Sequence, residues 1–167
     1  SFFIAYYFDN RSVLSIAITG LAAYIGISVT PQDLVNNDLY TTQNLSYSAV
    51  GLGTLLILWT IYSSMIALKT HFNFIYLTFA LHIISIASIN NLLDFYDFTW
   101  VIFAAVLALS SFYFYKISYE LRAISLYVFM IIYAYVGINI LVARFLDFID
   151  FFDFWELFIV ILPVYFI

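Results

Sequence analysis

Few residues in this chain could do chemistry inside an apolar medium, and His82 stands first among them. It lies eleven positions into the uncharged run 72–89, and an ionisable group at such depth is costly and usually tied to function. The other histidine, His71, lies eleven residues earlier, about three helical turns and roughly 16 Å along an axis. One metal ion cannot bind both. A haem held by His82 would need an axial ligand from another helix, and no third histidine exists. His82 therefore reads as a packed histidine bonded to a Ser, Thr, Tyr or backbone group, or as a ligand or polar-cavity residue. His71 reads as a solvated turn residue. Asn139, near the far end of another apolar run, is the second candidate for a buried polar site.

Other constellations are weaker. Asp147, Asp150, Asp153 and Glu156 recur every three residues and could gather around a divalent cation. The stretch lacks the glycine and ligand order of a calcium loop, and three residues advance about 300° on a helix, which disperses the side chains. A solvated loop ending in a helix cap at Asp153 uses more of the pattern. Ser63-Ser64 and Ser110-Ser111 have no base and orienting group in a recognisable signature. Gly51-x-Gly53 lacks the third glycine, preceding strand and ribose acid of a dinucleotide site. The aromatic cluster at residues 112–115 could line a lipid or quinone pocket, but packing and interfacial belts account for such residues better. With no cysteine, disulfides, thiolate metal sites and cysteine nucleophiles are excluded. The sequence thus assigns no catalytic residue, no cofactor and no metal, and leans away from an enzyme.

The elements that must position His82 and Asn139 are membrane helices. The chain is 66% hydrophobic and 9% charged, with a mean hydropathy of +1.06, too few charges for the wet faces of a soluble helical domain. Runs such as 100–115 are apolar on every side, unlike alternating barrel strands. Residues 47–68 and 72–89 hold 22 and 18 residues without a charge, against the roughly 20 needed to cross a bilayer core. Only Lys69-Thr70-His71 separates them, so they form an antiparallel hairpin. The expected fold is an all-α polytopic transmembrane bundle in a single domain. Five complete spans fall at 13–29, 47–68, 72–89, 100–115 and 123–143. Partial spans at 1–8 and 157–167 suggest a fragment of a longer chain.

Local signals place the joints. Ser12 is the expected N-cap of the 13–29 helix, whose Gly20, Ala22, Ala23 and Gly26 would let a neighbour approach closely. Thr30-Pro31-Gln32-Asp33 suggests a cap, a first-turn proline and a short helix, stopped at Asn36-Asn37-Asp38. Asn44 or Ser46 would then start the next span. Residues 90–99 read as a loop carrying Asp94 and Asp97, after which Trp100 sits where an interfacial aromatic belongs. Alternating sides puts Arg11, Lys69, Lys116 and Arg122 together, with Arg144 opposite. The positive-inside tendency makes the first side cytoplasmic. Asp9 and Glu120 are the only acids on that side.

The stretch from Asp9-Asn10-Arg11-Ser12-Val13-Leu14-Ser15 to Gly26-Ile27-Ser28-Val29-Thr30-Pro31, followed by Lys69-Thr70-His71-Phe72-Asn73-Phe74, resembles an uncharacterised bacterial family of predicted polytopic membrane proteins, described only as a domain of unknown function. The likeness covers about residues 9–93. It implies a bacterial inner-membrane location and a longer parent chain, and it transfers no active-site residue. The expected function is a non-enzymatic membrane domain embedded in a lipid bilayer. A small-molecule transporter or channel with a midplane polar cavity, or an accessory subunit of a respiratory complex, are the alternatives. Membrane-protein partners or a homo-oligomer fit the apolar surface. Nucleic acid does not, because five basic residues cannot make a nucleic-acid surface.

Overall fold

The structure, a computed structural model, describes residues 2–36, 40–67, 69–93 and 99–148, the side chains of 26–44 and 146–148 excepted. The described residues are helical, with no strand among them. The chain runs through α1 (Phe2–Tyr7), α2 (Arg11–Asn36), α3 (Tyr40–Met65), α4 (Asn73–Leu92), α5 (Trp100–Leu121) and α6 (Ile124–Phe148), with a 3₁₀ turn over Thr70–Phe72 ahead of α4.

Among the described residues, four helices are long and apolar enough to cross a membrane, over Leu45–Met65, Thr70–Leu92, Trp100–Leu121 and Ile124–Phe145. They contain 21 to 23 residues, which at about 1.5 Å each matches a hydrocarbon core of about 30 Å. They correspond to the expected spans at 47–68, 72–89, 100–115 and 123–143. Each side-chain surface follows from its place in the bundle. Helix α4 packs against α2, α3, α5 and α6, and half of its span is buried (50%), against 22% for α5 and for α6. Its buried side chains Tyr76, Leu77, Ala80, Leu81 and Ile84 recur every three or four residues, the spacing of one helix face. Large apolar side chains point outward elsewhere, among them Leu109 and Phe112 on α5, 71% and 72% exposed. In water such a surface would aggregate. In lipid it is the expected exterior, since hydrocarbon is as apolar as leucine.

Two glycines set the close approaches. A Cβ on Gly53 of α3 would overlap Cγ1 of Ile84 on α4, and one on Gly137 of α6 would overlap Cδ2 of Leu107 on α5. Gly20 and Gly51, by contrast, face open space. Among the described glycines, the close contacts therefore fall on the α3–α4 and α5–α6 pairs.

Several boundaries differ from the sequence reading. Asn10, not Ser12, caps α2: its Oδ1 accepts from the backbone N–H of Ser12 at 2.9 Å and of Val13 at 3.2 Å. The preceding Asp9, with φ of 55°, turns the chain so that this cap can form. No separate short helix begins at Thr30; α2 continues through Pro31 to Asn36. Proline removes one helix donor, a loss that membrane helices can accommodate. Helix α3 begins at Tyr40, earlier than Asn44 or Ser46. Helix α5 runs past residue 115 to Leu121, because Lys116 and Glu120 lie at the water-facing end, where charge does not stop a helix. It ends where Arg122 turns left-handed, with φ of 50°. Helix α4 takes in Asn90 and Asn91, whose amide Nδ2 donates to the Ala87 carbonyl at 3.1 Å. The readings placed on Asp38, Asp94, Asp97, Asp150, Asp153, Glu156 and the span at 157–167 lie outside the described residues, as does the side chain of Asp147.

Candidate functional site

At mid-depth, α4 and α6 bring His82 against Tyr133. The His82 Nδ1 lies 2.8 Å from the Tyr133 hydroxyl, and the Phe129 ring meets the imidazole edge-on with centroids 4.8 Å apart. The i, i+4 spacing of Phe129 and Tyr133 puts both on one face of α6. His82 is half-buried in this seam. Among the described residues its Nε2 has no hydrogen-bond partner, and it is not sealed from the molecular surface. The group can therefore donate or accept one further bond.

Asn139 does not join it. Its Nδ2 donates to the Tyr135 carbonyl of its own helix at 2.7 Å. Other hydroxyls on the spans do the same: Thr54 to Gly51, Thr60 to Leu56, Thr78 to Phe74, Ser110 to Leu107 and Ser118 to Tyr115. Such local bonds satisfy a polar group in lipid without a partner helix. Ser88 on α4, with its Oγ buried, has no such bond.

A second polar assembly ties one end of the bundle together. The Asp9 carboxylate in the α1–α2 turn lies 2.8 Å from the Lys69 ammonium and 2.8 Å from His71 Nε2, both in the α3–α4 turn. The hydrogen bond from Lys69, with His71 beside it, holds the Asp9 carboxyl below the usual carboxylate range. Lys69 is left-handed, with φ of 49°, a conformation that costs a side-chain-bearing residue about 1–2 kcal/mol. One layer deeper, the Tyr6 hydroxyl accepts from Trp59 Nε1 at 3.0 Å and from the Tyr76 hydroxyl at 3.0 Å. Tyr6 also packs edge-on against Phe72. So α1 is fastened to both helices of the central hairpin. At the opposite end, Arg144 Nε donates to the Leu92 carbonyl at 2.8 Å, and its guanidinium sits 5.0 Å over the Trp100 ring.

His71 is thus a partly exposed turn residue that also joins the clasp. Sequence reasoning also missed Tyr133, Tyr6, Trp59 and Tyr76. One signal for the clasp was present: Asp9 is one of only two acids on the basic side of the charge count. No group of three or more potential metal ligands occurs among the described residues. Compared with protein-family models, with curated proteins and with solved structures, the chain finds no match in any of the three.

Proposed function

We propose that this chain is a non-enzymatic domain of a bacterial inner-membrane protein, with α2 supplying a fifth span over residues 13–29. The Asp9, Lys69 and Arg122 end faces the cytoplasm. The observation that carries this reading is the separation of polar chemistry by depth. The ion pair of Asp9 with Lys69 and His71 lies at one end, and Arg144 with Trp100 at the other. Between them the polar groups of the spans are largely spent on their own helix backbones. The excess of Lys and Arg at the Asp9 end supports the orientation.

Expression in a bacterium followed by alkaline carbonate extraction tests this. Retention of the chain in the inner-membrane fraction is the expected result. Release into the soluble fraction, or recovery with the outer membrane, would overturn it.

A further inference from the structure

The His82–Tyr133 seam presents a donor to hydrocarbon. Two arrangements are open to their bond. If Nδ1–H donated to the Tyr133 oxygen, the phenol proton and the Nε2 lone pair would both be left without partners. If the phenol donates to Nδ1, Nε2–H and a lone pair of the Tyr133 oxygen are left, so each arrangement leaves one donor and one acceptor. The second is favoured because the phenol is the stronger acid and the imidazole nitrogen the better acceptor. His82 falls near the middle of the 23-residue span Thr70–Leu92, about 15 Å from either boundary of the hydrocarbon core. Water and lipid carbonyls cannot reach it there. The missing acceptor must come from something within the membrane.

The same patch already carries that acceptor. The Tyr133 oxygen gives its proton to His82 and keeps a free lone pair, so this half-buried pair holds one unspent donor beside one unspent acceptor. A two-fold axis through the seam would place each Nε2–H against the Tyr133 oxygen of the other copy, as an isologous interface requires. Four hydrogen bonds then close into a ring, two within the copies and two between them. Around this centre Ile86, Phe129 and Ile132 are 57%, 41% and 48% exposed and supply apolar packing. We infer that the α4–α6 seam is a homodimer interface, held at mid-depth by reciprocal His82 to Tyr133 hydrogen bonds. This rests on the chain spanning a membrane.

The chain has no cysteine, so Ile86→Cys and Ile132→Cys can each be cross-linked with a short bismaleimide in native membranes. Covalent dimers of this chain are expected from both positions, and none from Leu109→Cys or Phe112→Cys on the outer face of α5. In nanodiscs, His82→Phe and Tyr133→Phe should each raise the dimer dissociation constant about tenfold, the weight of two interhelical bonds. The double variant should be no weaker. Helical circular dichroism checks that each variant folds, and the cross-links need neither variant. A membrane-retained monomer, cross-links from α5 instead, seam cross-links only to another protein, or a folded His82→Phe that dimerises undiminished would each overturn the inference. Loss of the chain from the membrane would instead count against the proposed function.

Discussion

The Asp9 carboxylate lies 2.8 Å from the Lys69 ammonium, joining the turn that opens α2 to the turn that closes the α3–α4 hairpin. Because Asp9 titrates below its ordinary value through the Lys69 hydrogen bond and the neighbouring His71, the pair makes stability depend on pH in one direction. The carboxyl is depressed in the folded chain, so its contribution is complete above the unfolded value of about 3.9 and is lost as pH falls through the lower folded value. Asp9→Asn should lower the melting temperature at neutral pH by at most about 3 °C, since exposed pairs are weak. The gap from wild type should close below about pH 4. A thermal-melt series from pH 7 downward checks both parts; a gap that persists in acid would show that the ion pair is not its cause.

Capping separates two adjacent residues. Asn10→Ala removes the acceptor for two backbone donors and should cost about 1 kcal/mol. Ser12→Ala should change stability by less than about 0.5 kcal/mol. Chemical denaturation in mixed micelles would distinguish them, and equal effects would argue against Asn10 as the cap.

The tyrosine junction predicts an asymmetry. Tyr6→Phe leaves both the Trp59 N–H and the Tyr76 hydroxyl without their acceptor, for a loss of about 1–3 kcal/mol. Tyr76→Phe removes one donor while Tyr6 still accepts from Trp59, so it should cost less. Adding Tyr76→Phe to Tyr6→Phe should recover part of the loss, because the buried Tyr76 hydroxyl, in a residue 2% exposed, is then gone. Additive losses in the double-mutant cycle would mean the three groups act independently.

Glycine contacts give a comparison on one helix. Gly53→Ala pushes a methyl into Ile84 and should cost about 1–3 kcal/mol. Gly51→Ala meets nothing within 4 Å and should be neutral or stabilising by up to about 1 kcal/mol through helix propensity. Unfolding measurements that reversed this order would place α3 in a different rotation against α4.

Much of the architecture was legible because apolar run length and the Lys69-Thr70-His71 break need only local information. The four membrane-length helices follow from those runs. Helix ends were less legible: Lys116 and Glu120 look like loop residues in sequence, yet a helix entering the headgroup region keeps its backbone bonds through them. Contacts between helices were hidden for a different reason. Helices α4 and α6 are apolar on nearly every side, so periodicity could not say which face carries His82 or that Tyr133 lies opposite. Asp9 and His71 are 62 residues apart, and only the packing of α1 and α2 on the hairpin brings them together.

Single-cysteine accessibility tests the spanning bundle most directly, on a background with no native cysteine. Met65→Cys and Tyr119→Cys, 81% and 82% exposed at the Lys69 end, should react with a membrane-impermeant maleimide only after the cytoplasmic side is opened. Leu93→Cys, 50% exposed at the Arg144 end, should react in intact spheroplasts. Labelling of Met65→Cys and Leu93→Cys from the same side would contradict the account.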